Sequence, residues 1–419
     1  MIAGRPLIQP TVSPIAHGLS RSQQIRAFCA RHDTLFLLGL CAVVLFARRS
    51  DALLEPQFWA EDGMFYVDAL VRHGSSLLIP YAGYLHFAPR LTALAATAFD
   101  PRWAPLVCAV TALGLTLIVL AQVLSARVSL PHKPWLVLAL VLIPDAREIF
   151  FVITNIQWVL ALGLVTLLLA DAAATPWQQA ADLLFVALAG LSGPFSLLFA
   201  PLFIVRAWLH RSLGSLVTAL ITLGTACIQA TFVMRHVPVP SHPGAFHWDW
   251  ILPIAGLRLG VLPFLGHLVR NPLPHAWLGS IGFALITGLI ALALRPGPDR
   301  RQRLLLTVCC TLVSAAAFFR YRQEQGLFLE PHTSPRYFFV PQVLLLWLLA
   351  TAWSAGKSWR IAARVLGMSF VLTNLPYFRL EPFINFHWRD YAALIRDGRE
   401  CVFPVNPPTM TITCPARKN

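Results

Sequence analysis

A chain of 419 residues that is 57% hydrophobic and only 12% charged is not a soluble enzyme, since soluble domains carry about 25% charged residues. The formal charge of +14, from 33 Lys and Arg against 19 Asp and Glu, comes with no nucleic-acid-binding motif. It reads as topology, because Lys and Arg gather in the cytoplasmic loops of membrane proteins. The composition therefore predicts an all-α polytopic integral membrane protein whose partner is the lipid bilayer and not nucleic acid.

Residues 1–33 are polar and hold Arg5, Arg21, Arg26 and Arg31 with no acid before Asp33. They have no apolar core followed by a small-residue cleavage site, so they are expected to form a cytoplasmic N-terminal segment. A first span is predicted over Thr34–Ala47, extending somewhat at its ends. Residues 48–102 form a long first periplasmic loop, in which Leu91–Phe99 is too short to cross and is expected to lie along the interface. Reading Ile79–Phe99 as a span would bury Arg90 at a cost of about 2.5–3.5 kcal/mol. Further spans are predicted over Trp103–Leu124, Trp135–Phe150 and Gln157–Ala170. The run Leu183–Leu209 is broken by Ser192-Gly193-Pro194 and reads as two short helices, and Leu216–Met234 follows. Trp250–Leu268 is apolar but carries Pro253, Gly256, Arg258, Gly260 and Pro263. Broken backbone at membrane depth needs protein or a cavity around it, so this segment is expected to be re-entrant or interfacial. Spans over Trp277–Leu294, Leu304–Phe319, Phe338–Trp353 and Ile361–Phe378 bring the set to about eleven, with residues 34–378 as the transmembrane domain. The Pro-rich residues 379–419 contain no span and read as a short periplasmic tail. If the tail is outside, Cys401 and Cys414 could pair; no spacing rule decides it.

This count puts most bases inside and most acids outside, as the positive-inside rule requires. Acids are scarce, so the doublet Glu61-Asp62, set between Phe58-Trp59 and Phe65-Tyr66 just after the first span, asks for a reason. A carboxylate at a low-dielectric interface beside a second carboxylate has its pKa raised towards that of a useful general base. The flanking aromatics suit sugar faces, and they equally suit a membrane interface; the doublet also serves as a plain topology signal. A second group consists of bases on the outer side: Arg90, Arg102, Arg147, Arg320, Arg322 and Arg336, the last followed by Tyr337. They suit a phosphate or pair with Glu324, Glu330 or Asp145. The outer loop Asp145-Ala146-Arg147-Glu148 with Asn155-Ile156-Gln157-Trp158 offers further acids and amides. Asp62, Asp145 and Glu148 are the candidate ligands of a divalent metal, Mg or Mn. No zinc spacing, Walker lysine or nucleotide fingerprint is present.

Taken together, Trp59-Ala60-Glu61-Asp62-Gly63, Pro80-Tyr81-Ala82-Gly83-Tyr84-Leu85 and Pro89-Arg90-Leu91 resemble the GT-C superfamily of integral-membrane glycosyltransferases, nearest to uncharacterised bacterial members. The resemblance covers roughly the first half of the chain; in the second half only the topology follows it. It implies a GT-C-like fold in the bacterial inner membrane, with a periplasmic active site and a polyprenyl-phosphate-linked sugar as donor. A glycan or lipid hydroxyl is the implied acceptor. Asp62, then Glu61, would be the base; Arg90, Arg102, Arg147 and Arg336 would hold phosphate, with Tyr337, Trp59, Tyr84, His86 and Asn155 as substrate contacts. A large soluble C-terminal domain is missing, which argues against protein glycosylation. The alternative readings are a transporter or flippase of lipid-linked or small polar solutes, and a polysaccharide polymerase or ligase.

Overall fold

The computed structural model describes residues 21–144, 146–236, 246–268 and 273–416; the side chains of 21–32 and of His267 are not described. Asp145 and most of the predicted cytoplasmic segment lie outside the described residues. The elements follow in order: α1 (Arg21–Arg48), α2 (Asp51–Leu54), α3 (Ala60–Arg72), α4 (Phe87–Ala96), α5 (Ala104–Leu124), α6 (Lys133–Leu142), α7 (Ile156–Leu169), α8 (Pro176–Leu191), α9 (Phe195–His210), α10 (Leu213–Arg235), α11 (Ile251–Ala255), α12 (Leu262–Phe264), α13 (His275–Leu294), α14 (Arg300–Arg320), α15 (Arg336–Ala352), α16 (Lys357–Asn374) and α17 (Trp388–Arg396). Two antiparallel strands, β1 (Cys401–Val405) and β2 (Met410–Cys414), close the chain.

Two apolar helices form the middle of the bundle. Every residue of α7 is buried, and α15 is buried over most of its length. Around α7 pack α5, α8, α9, α14 and α15. Trp347 of α15 donates its indole N–H to the Leu136 carbonyl of α6 at 3.2 Å, so the one polar atom of this buried ring is satisfied. The surrounding helices turn large apolar side chains outward, among them Ile118, Leu184, Val205, Leu220 and Phe283, as membrane helices do. Among the described residues four helical segments are long and apolar enough to cross a bilayer, Pro101–Leu124, Leu213–Arg235, His275–Leu294 and Arg300–Arg320. Four apolar helices are shorter: α6, α7, α9 and α15.

Three expectations are corrected. Trp135–Phe150 is not one helix: α6 stops at Leu142, because Ile143 precedes Pro144 and is pushed out of helical backbone. The carbonyls of Val141 and Ile143 accept from the buried Arg48 guanidinium at the end of α1 (2.9 Å to Ile143). The helix predicted over Leu91–Phe99 starts four residues earlier and runs as α4 from Phe87 to Ala96. The fold is also not purely helical, since the tail carries the hairpin. The division of Leu183–Leu209 does fall at Ser192-Gly193-Pro194, between α8 and α9.

Within the predicted broken segment, α11 passes through a π-helical turn, Gly256–Val261, into α12. It lies backbone to backbone on α13. A Cβ added at Gly282 would come within 2.1 Å of the Leu252 carbonyl oxygen, and one at Gly256 within 1.9 Å of that of Leu278. A Gly282→Val variant is therefore expected to force the pair apart. The expected loss is at least the 1–3 kcal/mol of ordinary overpacking, roughly, read as a lowered thermal midpoint in detergent. An unchanged midpoint would refute the close approach.

Candidate active site

The acidic doublet lies in the first turn of α3, where carboxylates are favoured by the helix dipole. The turn is held from outside the helix. Ala60 N–H donates to the Asn406 carbonyl, Asn406 N–H donates to the Phe58 carbonyl at 3.0 Å, and the Trp59 ring packs on Phe383 at 5.4 Å. Trp59 thus rests against the tail. Gly63 is needed because a Cβ there would meet Ile412 at 2.8 Å, Val405 at 3.2 Å and Phe403 at 3.3 Å.

The two carboxylates part company at once. Asp62 points inward and is 3% exposed; its Oδ1 accepts from the Thr154 backbone N–H at 2.8 Å and from the Thr154 hydroxyl. Burial raises its pKa to about 7, against the hydrogen bonds from Thr154, which lower it, and with a smaller upward push from Glu61. Glu61 turns the other way and accepts from the Tyr81 hydroxyl at 2.9 Å.

Tyr81 and Tyr84 flank a tight turn through Ala82 (φ 51°) and Gly83 (φ 93°). Gln229 of α10 fixes this turn from beneath, accepting from Leu85 N–H at 2.9 Å and donating to the Leu85 and Gly190 carbonyls. Tyr84 accepts from Gln157 at 3.0 Å and stacks on His86 at 4.5 Å. His86 is buried and its pKa is pushed down to about 3 by that burial, so it is a neutral ring at physiological pH. Across from these tyrosines stands Arg336; burial pushes the pKa of both phenols up and keeps them neutral, and the Arg336 charge offsets only a small part of that. It donates to Glu148 at 2.6 Å. Asn155 donates to the Glu148 carbonyl at 2.8 Å, and Tyr337 accepts from Tyr321 at 3.1 Å while its ring meets Trp158 edge-on at 5.1 Å.

Glu61, Asp62, Tyr84, His86, Glu148, Asn155, Arg336 and Tyr337 thus gather at one end of the bundle. Other basic candidates are spent or distant. Arg90 is 1% exposed, pairs with Asp68 at 3.0 Å and lies over the Phe65 ring at 4.5 Å, tying α4 to α3. Arg147 reaches Glu381 at 3.4 Å and the His332 carbonyl at 3.2 Å, joining the tail to the α14–α15 loop. Arg102 is exposed, beside Asp100 and its own Trp103, outside the cluster. Sequence reasoning missed Thr154, Gln229 and Tyr321, ordinary residues with no local signal. It also passed over Arg48 and Arg49, two adjacent cations at the end of the first span, which are 3% and 2% exposed.

A cavity of about 730 Å³ adjoins this end, lined by Trp248, Leu259, Ile290, Ser314, Phe318 and Arg322 among others. It is almost wholly apolar, follows α14 inward from Arg322 to Thr307, and has Phe338 in its wall, next to Tyr337. Among the described residues no three His, Cys, Asp or Glu side chains converge on one point. Asp62 is bound by Thr154 and Glu148 by Arg336, so these two do not by themselves form a metal-ligand set. No family model, curated protein or solved structure matches the chain.

Proposed function

We propose that this protein is a GT-C-type membrane glycosyltransferase that moves a sugar from a polyprenyl-phosphate carrier to an acceptor hydroxyl on the periplasmic side of the bacterial inner membrane. On this reading the shorter buried helices also count towards about eleven spans. Asp62 is the observation that carries the proposal: a carboxyl buried at a helix-bundle end, with its pKa brought to about 7, is poised to take a proton at neutral pH. The same end of the bundle holds aromatic rings, the buried Asn155 amide and Arg336 on Glu148, and near them lies an apolar cavity large enough for part of an isoprenoid chain.

In the transfer, Asp62 accepts the proton of the acceptor hydroxyl as its oxygen attacks the anomeric carbon. The bond from that carbon to the lipid-phosphate oxygen breaks, and the phosphate leaves with the electron pair. Arg336, with the exposed Arg320 and Arg322 at the rim, neutralises the departing charge. Glu61 holds the Tyr81 turn over the site.

The test is transfer by purified protein from a panel of polyprenyl-phosphate sugars, comparing wild type with Asp62→Asn and Glu61→Gln. Transfer by wild type that is lost in folded Asp62→Asn supports the reading. Normal transfer by both variants would reduce the doublet to a topology signal, and directional flux of a lipid-linked solute without transfer would favour a flippase. Arg336→Lys keeps the charge but loses the planar fork. It is expected to raise the apparent KM for the donor by roughly tenfold or more while kcat changes less; an unaltered KM would remove Arg336 from phosphate binding.

A further inference from the structure

The hairpin of the tail is the element nearest the doublet that the transfer chemistry does not use. Its register sets Cys401 opposite Cys414, Phe403 opposite Ile412 and Val405 opposite Met410. Phe403, Val405 and Ile412 close on Gly63, and Asn406, at the turn, bonds to the chain on both sides of Trp59. The hairpin therefore grips the α3 entry before and after Glu61-Asp62. At its other end, where β1 leaves α17, the two cysteines face each other, 7% and 4% exposed, with their thiols in hydrogen-bonding reach. Directly opposed residues of an antiparallel pair have Cα atoms about 4.5–5.5 Å apart, inside the range a disulfide bridges.

We propose that Cys401 and Cys414 are a modification site: they form a disulfide that staples the hairpin shut and thereby holds the Glu61-Asp62 turn in register. The two thiols lose two protons and two electrons, one S–S bond forms, and the electrons pass by thiol–disulfide exchange to a disulfide-bearing carrier protein, which becomes a dithiol. The bond restricts the opened hairpin far more than the closed one, so it disfavours the hairpin's local opening. The inference goes beyond the transferase reading and does not need it, since its readouts are covalent and structural.

The experiment takes full-length protein from membranes alkylated at lysis, before any reductant, and maps the 401 and 414 peptides by mass. The expected result is a linked pair lacking the mass of two hydrogens. Amide exchange across residues 58–66 is then compared with and without reductant. Reduction is expected to speed it on the order of tenfold, and Cys401→Ser with Cys414→Ser to match the reduced wild type and ignore reductant. Two alkylated thiols in never-reduced protein would overturn the disulfide. A disulfide whose reduction leaves exchange at 58–66 unchanged would overturn its role as a clamp.

Discussion

On the transferase reading, replacing Asp62 with Asn should abolish transfer, and on any reading it should make the protein more stable at alkaline pH. A positioned general base contributes about 10²–10⁴ in rate, and Asn cannot take the proton. The stability half follows from the raised pKa, about 7 against an ordinary value of 3.8. The folded protein holds the Asp62 proton more tightly than the unfolded chain, so burial is tolerated best at low pH. As pH climbs from about 4 to about 7 the unfolded chain releases the proton while the folded one retains it, and stability falls through that window. Above about 7 the loss levels off at a few kcal/mol, on the order of the shift itself. Asn keeps an oxygen for Thr154 and carries no charge to bury. Its thermal midpoint should exceed that of wild type at pH 8 and converge with it only below about pH 4. A wild-type transfer rate that rises with pH through about 7 completes the pattern, since the base works deprotonated. If Asp62→Asn is less stable at pH 8 and still active, Asp62 is a structural anchor for Thr154, ahead of α7, and no more.

The second large effect belongs to Arg258, which lies in the π-helical turn and is 1% exposed. Its guanidinium donates to the carbonyls of Phe328 at 2.8 Å, Pro331 at 2.9 Å, Leu327 at 3.2 Å, and Glu330 and Thr333 at 2.6 Å. The α14–α15 loop is wound around one cation, and Arg336 follows directly from that loop. Arg258→Met fills the volume but leaves these carbonyls without their donor, an expected loss of roughly 3–5 kcal/mol. Lys cannot replace it, having three donors in place of a five-donor fork. Hydrogen exchange over residues 325–336 should rise sharply in Arg258→Met while α5 and α7 keep their protection. Equal protection in variant and wild type would mean that the loop holds itself.

Periodicity, Pro and Gly made the helical skeleton readable, including the broken segment around Arg258 and the split at Ser192-Gly193-Pro194, because those signals are local. The partners of the doublet were not readable. Thr154 is 92 positions from Asp62, and nothing about a threonine announces that it will cap a distant carboxylate. The hairpin was hidden by Pro404 and by Pro407-Pro408 in the turn region, which read as breakers. Pro404 is tolerated because a two-stranded sheet has only edge strands, and Cys401, Phe403 and Val405 alternate inward as a one-sided strand should. Arg90 and Arg147 looked like ligand contacts because a cation on the outer side is unusual. Their partners, Asp68 at 22 positions and Glu381 at 234, come together only on folding.

The complete burial of α7 bears on how the site meets its lipid surroundings. Its 14 residues span about 21 Å, short of the hydrocarbon thickness of about 30 Å, and all of them are buried by neighbouring protein. A helix sealed inside protein feels no hydrophobic mismatch, whereas α5, α10 and α13, at 21, 23 and 20 residues, are long enough to meet the hydrocarbon thickness themselves and adjust to it by tilt. The depth of Thr154, and of Asp62 bonded to it, is therefore referenced to neighbouring helices. In bilayers of different acyl-chain length the perimeter should readjust while the geometry of the doublet stays put.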